Sequence, residues 1–368
     1  MSGLVRVLHV IGALDRGGVE TWLLDLAPLL DRERWQFDFC TLGPERGRYA
    51  ARMEARGSRV EPCPRGAGWA RRLYRLLGQG RYTVVHSHVH HFSALVLAVA
   101  RAAGVPVRLA HSHNTADGRA DTVARRLYRR ACQFTLPYVA TQCLACSPPA
   151  AAMFGPVRRR RRVAVVPYGV RTGSAPGDPL LRRHLDLDGA PVIGHVGRFE
   201  PQKNHRFLLE VAASLCRRRP EIRWLLVGEG PLRKEIEDRA HRLGLADQVR
   251  FSGLREDVPA LMSGAMDAFA LPSHHEGLPV ALLEAQAAGL PALVSTAVPR
   301  EAAAVAGAVE FLPLAAGPAA WAEGLLGRLA APRPPREQAR RELAAAGFTL
   351  PQSLERLLAI YEQAVSSS

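Results

Sequence analysis

Short apolar runs alternate with amphipathic segments along most of the chain. The first half begins with the apolar run LVRVLHVIG and the amphipathic segment ETWLLDLAPLL, and later repeats this order with TVVHSHV and SALVLAVARAAG. The second half restarts the pattern with PVIGHVGRF and HRFLLEVAASLC. Strand-length apolar runs that alternate with segments of helical period predict parallel sheets with helices on both faces. The pattern therefore predicts an α/β protein with two Rossmann-like, doubly wound domains.

A segment rich in Gly, Pro and Ser, VPYGVRTGSAPGDP, lies between the two halves and indicates a linker. A chain of 368 residues is long enough for two domains, each with its own core. We predict domains at 1–170 and 171–349, with a C-terminal helix at about 350–368 that packs back on the first domain. Two such domains that face each other form a cleft at the carboxyl ends of their strands, where open α/β sheets bind ligands.

The cysteines and the longest apolar run indicate a cytoplasmic protein. The six cysteines occur without a secretory signal, which predicts reduced thiols. Cys143 and Cys146 form a C-x-x-C motif, but no second pair follows, so core packing is favoured over a redox or metal site. The run FSALVLAVA ends at Arg101, well short of the ~20 apolar residues that span a bilayer. We therefore predict no transmembrane segment.

The positive charge is concentrated in the first half of the chain. The formal net charge is +15, and residues 1–171, which hold 27 arginines and 11 acidic residues, account for all of it. The run Arg158–Arg162 is its densest part. A solvated surface and a patch that binds an anionic membrane both fit this charge. Nucleic-acid binding is not predicted, because no recognition motif accompanies the arginines.

Gly17 and Gly18 stand between the first predicted strand and the first predicted helix. Glycine at this place lets the backbone approach a ligand closely, and a helix N-terminus favours anions. An ordinary tight turn explains the pair equally well. The segment lacks the G-x-G-x-x-G fingerprint of dinucleotide-binding proteins, and no P-loop motif occurs in the chain.

The segment GRFEPQKNH places Arg198 and Lys203 in the first loop of the second domain. The chain contains only two lysines, against 47 arginines, so this lysine is a selective choice of a compact ammonium group. A guanidinium fork together with a point charge is suited to a diphosphate. The position at the carboxyl end of a strand favours this interpretation over two surface cations.

The stretch SHHEGLPVALLEA carries two glutamates, Glu276 and Glu284, too far apart to act as a close carboxylate pair. Pro279 suits the first turn of a helix, and Gly289 suits the position just after its end. This placement predicts that Glu276 lies in a loop and that Glu284 lies inside the helix. A half-buried carboxylate needs a hydrogen-bond donor, and a ribose diol is a suitable one. The backbone amides of Gly277 and Leu278 then stand at the helix N-terminus, where an anion binds favourably.

The E-x7-E pattern, preceded by G-R-x4-K, G-E-G-P and F-x-G, resembles the retaining glycosyltransferases of family 4, which have the GT-B fold. The resemblance covers nearly the whole chain, from GGVET through VVHSH, CLACS and VPYGV to SHHEGLPVALLEAQAAGLP. The strings RLAHSHNT, STAVPREA and VEFLPL are most similar to the exopolysaccharide and capsule branch of that family. One departure is Pro167-Tyr168-Gly169, where relatives commonly have P-N-G, so a contact from an asparagine there is in doubt.

The resemblance implies that the second domain binds a nucleotide-sugar donor, of the UDP class on family frequency, and that the first domain faces a glycan or lipid-linked acceptor. It implies that Arg198 and Lys203 hold the diphosphate and that Glu284 binds the ribose. Glu276, with the amides of Gly277 and Leu278, then binds the sugar and the phosphates. His111 or His113 lies near the donor sugar; a core or acceptor-side role is the alternative for each. The glycine-rich turn at Gly17 and Gly18 is assigned to donor binding.

The resemblance also implies a metal-independent reaction without a cofactor, and no D-x-D pair or His/Cys cluster of ligand spacing is evident in the sequence. The expected location is the cytoplasm, and peripheral association with the inner face of the plasma membrane through the basic first domain is left open as an alternative to a wholly soluble state. One alternative is another GT-B enzyme, such as a nucleotide-sugar epimerase or a phosphorylase, although neither lysine has the context of a pyridoxal phosphate site. The other alternative is a protein that binds a nucleotide-sugar without transferring it. The joint presence of Glu276, Glu284, Arg198 and Lys203 argues against that alternative.

Overall fold

The computed structural model describes residues 3–15, 17–115, 121–155, 163–172 and 180–367. The chain divides into two compact units, one formed by Met1–Gly169 with Leu350–Ser368 and the other by Val170–Thr349. The division follows residue 169, next to the expected boundary at 170, and it assigns the C-terminal helix to the first unit. The arginine run 158–162 lies outside the described residues.

The first unit is built on a seven-stranded parallel sheet with the strand order β3-β2-β1-β4-β5-β6-β7. This order reverses between β1 and β4, which is the topological switch point of a doubly wound sheet. Each predicted strand of the first half, including those of VVHSH and RLAHSH, is present. The strands are β1 Val5–Ile11, β2 Trp35–Thr41, β3 Val60–Pro62, β4 Val84–Ser87, β5 Val107–Ser112, β6 Gln142–Ala145 and β7 Val163–Val165.

Amphipathic helices follow the strands of the first unit. In α5, for example, a threonine caps the N-terminus: the hydroxyl of Thr122 accepts a hydrogen bond from the backbone N–H of Arg125. The core of the unit combines the inward faces of β1, β4 and β5 with those of α3, α4 and α5. The helices are α1 Gly18–Leu26, α2 Ala50–Glu54, α3 Trp69–Gly80, α4 Ser93–Ala102 and α5 Val123–Val139.

The second unit repeats the same topology with six parallel strands, in the order β10-β9-β8-β11-β12-β13. Its switch point therefore lies between β8 and β11. The strands are β8 Val192–Val196, β9 Arg223–Val227, β10 Val249–Gly253, β11 Ala268–Leu271, β12 Ala292–Ser295 and β13 Val309–Leu312. The helices are α6 Leu180–His184, α7 His205–Cys216, α8 Arg233–Arg242, α9 Val258–Gly264, α10 Val280–Ala287, α11 Gly317–Ala330 and α12 Arg336–Ala345.

The last helix, α13 Leu350–Ser366, returns to the first unit and is fixed there by buried polar contacts. The hydroxyl of Ser353 accepts a hydrogen bond from the indole N–H of Trp22 at 2.9 Å and donates one to the carbonyl oxygen of Pro167 at 2.7 Å. Tyr361 is fully buried, and its hydroxyl lies 2.6 Å from Nδ1 of His86. These contacts stabilise the packing of α13, because each gives a buried polar group the hydrogen-bond partner that it would otherwise lack.

Two further sequence predictions concern the apolar run and the cysteines. The run FSALVLAVA forms most of α4, and no helix among the described residues is both long and apolar enough to span a bilayer. All six cysteines are buried and unbridged, and Cys143 and Cys146 are fully buried. The prediction that this C-x-x-C motif serves core packing is therefore confirmed.

Candidate functional site

The second unit brings Lys203 and Glu276 together at its topological switch point. Lys203 ends a 3-10 turn, Pro201–Lys203, just after β8, and Glu276 lies in the loop between β11 and α10. Because β8 and β11 are parallel neighbours, their carboxyl ends lie side by side. The ammonium nitrogen of Lys203 is 2.6 Å from Oε1 of Glu276, and their side chains are 18% and 6% exposed. The pair is a charge-assisted hydrogen bond that is largely shielded from water.

The loops that carry this pair are linked to each other through Gln202. Its side-chain amide donates to the carbonyl oxygen of His275 at 2.8 Å and to Oε2 of Glu276 at 3.3 Å. The backbone carbonyl oxygen of Gln202 accepts a hydrogen bond from the backbone N–H of His274 at 2.8 Å. Gly197 lets the lysine stem pass close by, since a Cβ there would lie 3.2 Å from two of its carbons. Lys203 and Glu276 are thus positioned by the surrounding backbone.

Arg198 and Glu284, the other two charged residues predicted for this site, have different surroundings from those of Lys203 and Glu276. Arg198 is 53% exposed and forms an ion pair with Glu200, at 2.8 Å, two residues along its own loop. Glu284 is partly buried inside α10, as the sequence predicted. The structure therefore joins Lys203 to Glu276, and it holds Arg198 on a neighbouring acid instead.

The N-terminus of α10 lies directly after Glu276. Gly277 and Leu278 are both buried, and the helix starts at Val280. Pro279 was predicted in the first turn, but its ψ of 103° is extended, so it is the N-cap residue. The predicted helix end is confirmed: Gly289 has φ +70°, and a Cβ there would lie 2.6 Å from the carbonyl oxygen of Pro334. The sequence thus located this helix to within one residue.

Two buried histidines next to Lys203 were not predicted from the sequence. Nδ1 of His195 lies 2.9 Å from the carbonyl oxygen of Ala270, and its ring meets that of His205 edge to face at 4.7 Å. Burial lowers the pKa of His195 to about 4 and that of His205 to about 2, and the charges of Lys203 and Arg233 lower the pKa of His205 further. Both imidazoles are neutral near pH 7. Their positions in the sequence could have pointed to them, since His195 lies two residues before the G-R-x4-K segment and His205 lies two residues after it.

Because these two histidines are buried in their neutral form, we expect acid to lower the stability of the second unit. Their folded-state pKa values lie below the unfolded value of ~6.5, so their contribution to stability is complete above pH 6.5 and is lost as the pH falls. Each histidine contributes a slope of up to about 1.4 kcal/mol per pH unit. We expect the His205→Leu variant to lose less stability than the wild type between pH 7 and pH 5 in urea unfolding. The exposed His241→Gln change is the control. Equal pH slopes for the wild type and His205→Leu would contradict neutral burial.

In the first unit, Gly17 and Gly18 stand at the beginning of α1, after β1. Gly17 is the N-cap residue, with an extended φ of −147°, and Gly18 is the first helical residue. A Cβ on Gly17 would meet the flexible carboxylate of Glu20 rather than the backbone. The predicted position between strand and helix is confirmed. Donor binding by these glycines stays a prediction.

Five histidines converge at the switch point of the first sheet, and sequence analysis missed the group. In one chain of contacts, Nε2 of His86 lies 3.1 Å from Nδ1 of His111. In the other, Nδ1 of His9 lies 3.0 Å from Nε2 of His88, and Nδ1 of His88 lies 2.7 Å from Nε2 of His113. One hydroxyl terminates each chain: Tyr361 at His86, and Tyr168 at Nδ1 of His113, 2.5 Å away.

Burial keeps this cluster uncharged. It lowers the pKa of His9 and of His111 to about 3 and lowers the pKa values of His86, His88 and His113 well below the usual range, and neighbouring imidazoles lower those three further. His111 is fully buried, whereas His113 is only partly buried. The structure does not decide which of the two meets a donor sugar, so that role stays a prediction.

Two family models together match most of the chain. The model described as Glycosyltransferase Family 4 matches residues 16–174, and the model described as Glycosyl transferases group 1 matches residues 179–325. A protein of Bacillus subtilis (strain 168), described as "Putative glycosyltransferase EpsF", is 35% identical over 374 residues, which cover 98% of this chain and 97% of that protein.

A second relative and a solved structure extend these similarities. The Escherichia coli UDP-Gal:alpha-D-GlcNAc-diphosphoundecaprenol alpha-1,3-galactosyltransferase is 30% identical over 234 residues, which cover 61% of this chain and 60% of that protein. A crystal structure of Anabaena Alr3699/HepE in complex with UDP and glucose superposes with a TM-score of 0.78 at 19% identity, covering 98% of this chain and 100% of that one. The latter likeness establishes the fold.

Proposed function

The chain belongs to the family 4, group 1 glycosyltransferases of the GT-B fold, and from that premise we propose that it is a retaining enzyme that uses a UDP-sugar. The acceptor in this proposal is a glycan or a lipid-linked glycan of exopolysaccharide biosynthesis. The nucleotide-sugar is a co-substrate, and neither a cofactor nor a metal ion takes part in the proposed transfer. Glycosyltransferase activity itself follows from family membership; the retaining course, the donor and the acceptor are the proposal.

The ion pair between Lys203 and Glu276 is the observation that carries this proposal. Its atoms are 2.6 Å apart at the switch point of the second sheet, where doubly wound folds bind nucleotides, and α10 begins four residues after Glu276. An ammonium group has three N–H donors, so Lys203 can keep its bond to Glu276 and still donate to phosphate oxygens. The backbone amides at the start of α10 add a favourable environment for the same anion.

In the proposed reaction, the diphosphate gains negative charge as the bond to the sugar C1 breaks. Lys203 and the amides of Gly277 and Leu278 interact more strongly with that charge than with the ground state, which is the condition for catalysis. Arg198 is half exposed, and we propose that it exchanges Glu200 for the phosphates when the donor binds. Glu284 accepts hydrogen bonds from the ribose hydroxyls, and Glu276 accepts them from the transferred sugar.

Retention follows if the acceptor hydroxyl attacks the sugar face from which the diphosphate departs. The leaving phosphate oxygen then takes the proton of that hydroxyl, so no protein nucleophile is required. The new glycosidic bond forms as the bond between C1 and phosphate breaks, and the nucleoside diphosphate leaves with the proton.

The donor and acceptor classes are supported by the relatives. The E. coli relative is named for UDP-Gal and for a sugar linked to diphosphoundecaprenol, and the Anabaena structure contains UDP and glucose. We infer the same classes for this chain, namely a UDP-sugar donor and an acceptor that carries a glycan on a lipid. We propose that loops on the acceptor side select the individual sugar, since loops generally vary more between homologues than the elements they connect.

The retaining course is tested by the stereochemistry of the product. Purified protein is incubated with α-linked UDP-glucose, UDP-galactose and UDP-N-acetylglucosamine and with a short-chain polyprenyl-diphosphate sugar as acceptor. NMR then reports the configuration of the new linkage from its anomeric proton coupling. We expect an α-linked product. A β-linked product from an α-linked donor would show inversion and would refute the retaining mechanism.

A lipid-linked acceptor also suggests that the first unit binds a membrane surface, and α5 supports this proposal. Four of its apolar side chains, at positions 123, 127, 134 and 138, are between 54% and 72% exposed and lie within about 60° around the helix axis. Arg126 and Arg130, both exposed, border this stripe. An exposed apolar stripe edged by arginines is typical of a helix that lies in an anionic lipid interface. We therefore propose a location at the cytoplasmic face of the plasma membrane.

We expect the double variant Leu127→Ser/Phe134→Ser to bind anionic vesicles at least ~10-fold more weakly than the wild type, because burial of each large apolar side chain contributes about 1.5–3 kcal/mol. Sedimentation with phosphatidylglycerol and with phosphatidylcholine vesicles measures the effect. Leu243→Ser, at an exposed leucine of the second unit, is the matched control. Wild-type binding that is independent of lipid charge, or equal binding by the double variant, would reject the membrane proposal.

A further inference from the structure

The five histidines of the first unit lie on one face of three adjacent strands. His9 is in β1 and is aligned with His86 in β4, and His111 is in β5. His88 and His113 each follow two residues later, so strand alternation returns them to the same face. His111 also meets the edge of the Trp22 ring, at 6.0 Å, from α1. The cluster thus occupies the centre of the sheet, beneath α1 and α13.

We propose that His88, His111 and His113 bind one divalent transition-metal ion of the zinc class. One ring nitrogen from each histidine lies within 4.8 Å of one from each of the others. Ligand nitrogens around a tetrahedral ion with bonds of ~2.0–2.1 Å lie a little over 3 Å apart, so modest ring rotation suffices. Neutral imidazole is the ligand form that zinc requires, and hard cations such as Mg²⁺ prefer oxygen ligands.

The hydrogen bonds of the cluster identify the ligand atoms. Nε2 of His111 has no hydrogen-bond partner within the part of the chain that the structure describes, and it is buried. Nδ1 of His88 and Nε2 of His113 face each other at 2.7 Å. These three nitrogens are the proposed ligands. A fourth coordination position would take water or an anionic group, since His113 is partly exposed.

Each proposed ligand then keeps a hydrogen-bond acceptor for its second nitrogen. His88 donates from Nε2 to Nδ1 of His9, and His111 donates from Nδ1 to Nε2 of His86. His113 donates from Nδ1 to the hydroxyl oxygen of Tyr168. Partners of this kind fix the tautomer and orientation of metal-bound histidines and increase their basicity.

A second possible group, formed by His9, His86 and His88, fits less well. All three of these residues are buried, whereas His113 gives the first group a path to solvent. The carboxylate of Asp38, whose charge acts on His9, is already bound by Arg6 and Tyr82. This access to solvent favours the group that contains His113.

This inference goes beyond the proposed sugar transfer and gives His111 and His113 a role other than direct contact with the donor sugar. The metal lies in the first unit, and its binding is measured without any nucleotide-sugar. A chain that transfers sugar but binds no metal leaves the proposed function intact and removes only the metal site. Conversely, a chain that binds the metal but transfers no sugar leaves the metal site intact and removes the proposed function.

The test is titration of the tag-free, chelator-treated protein with Co²⁺ and with Zn²⁺. We expect one equivalent of Co²⁺ to bind with the intense visible absorption of a tetrahedral ion, one equivalent of Zn²⁺ to displace it, and Mg²⁺ to leave the absorption unchanged. His111→Gln and His113→Gln are expected to weaken Co²⁺ binding by more than ~100-fold. Tyr168→Phe, which removes only an outer partner, is expected to weaken it by about 10–100-fold.

Matched controls are His205→Gln, at a buried histidine of the second unit, and the exposed His241→Gln, both of which should retain full binding. Circular dichroism identifies any variant that fails to fold; for such a variant the Tyr168→Phe result decides. A folded wild-type protein that binds no equivalent of either ion would overturn the proposal. Binding that survives unchanged in Tyr168→Phe, or in a folded His111→Gln or His113→Gln variant, would also overturn it.

Discussion

Replacement of Lys203 with alanine is expected to lower kcat for the nucleotide-sugar by about 10²–10³-fold, the usual cost of losing one donor that stabilises transition-state charge. Lys203 is the cation that the structure holds beside Glu276, at 2.6 Å and with an 18% exposed side chain. No arginine can replace it directly, because a planar guanidinium does not offer the same compact point charge. Steady-state release of nucleoside diphosphate measures the effect.

The chain provides its own control for this variant. Lys234, the only other lysine, is 89% exposed and lies 3.8 Å from Asp238, so Lys234→Ala should retain wild-type turnover. Loss of Lys203 leaves the carboxylate of Glu276 buried without its cation, which destabilises the fold. The double variant Lys203→Ala/Glu276→Gln removes that charge. We expect the double variant to regain stability but not activity. Near-normal turnover by Lys203→Ala would refute its assigned role.

The two glutamates of the SHHEGLPVALLEA segment are expected to affect different kinetic constants. Glu276→Gln should lower kcat by about 10²-fold, because Glu276 interacts with Lys203 and, in the proposal, with the reacting sugar. Glu284→Gln should raise KM for the donor about 10-fold with little change in kcat, because a hydrogen bond from the ribose to a charged group contributes about 1.5–3 kcal/mol. Initial rates over a range of donor concentrations separate the two.

The matched pair of substitutions makes this prediction strict. Both substitutions change one carboxylate oxygen to an amide nitrogen. Glu276 lies in the loop before α10, and Glu284 lies eight residues later, inside that helix. Binding of free UDP, measured by calorimetry, should weaken in Glu284→Gln and stay close to wild type in Glu276→Gln. The assignment of separate duties is wrong if both variants change kcat and KM in the same proportion.

The alternation of apolar runs and amphipathic segments was sufficient to predict the fold. Strands such as Arg223–Val227 and Ala268–Leu271 are short, largely apolar and followed by helices, and parallel sheets bury such strands on both faces. The start and end of α10 were predictable because proline and glycine act through local backbone geometry alone. Pro279 differed by one residue only because its extended ψ places it just before the helix.

The contacts within the site were less predictable, because they depend on distances that no local pattern contains. Lys203 and Glu276 are 73 residues apart, and only the adjacency of β8 and β11 joins them. Arg198 was predicted to hold the diphosphate together with Lys203, and its pairing with Glu200, two residues along the chain, was not foreseen. An exposed ion pair of this kind contributes little stability, which is why such a partner is easily exchanged.

The histidine cluster was missed for a related reason. His9 stands alone in its strand, and the two H-S-H strings, at residues 86–88 and 111–113, lie 25 residues apart. Only the register of β1, β4 and β5 shows that all five rings share one face. The sequence feature that could have revealed the cluster is the two-residue spacing of the histidines within each string. This spacing is the period of a strand and places both rings on the same side.

Release of nucleoside diphosphate from matched UDP-, GDP- and ADP-sugars by the wild-type protein is the most direct test of the proposed function. A polyprenyl-diphosphate sugar is supplied as acceptor, and the slow hydrolysis without it is recorded as the background. We predict that a UDP-sugar is turned over, that the acceptor increases its rate, and that the Lys203→Ala variant abolishes most of that increase. Folded wild-type protein that releases no nucleotide from any of the three classes, or that prefers GDP- or ADP-sugars, would contradict the proposal of a UDP-sugar transferase.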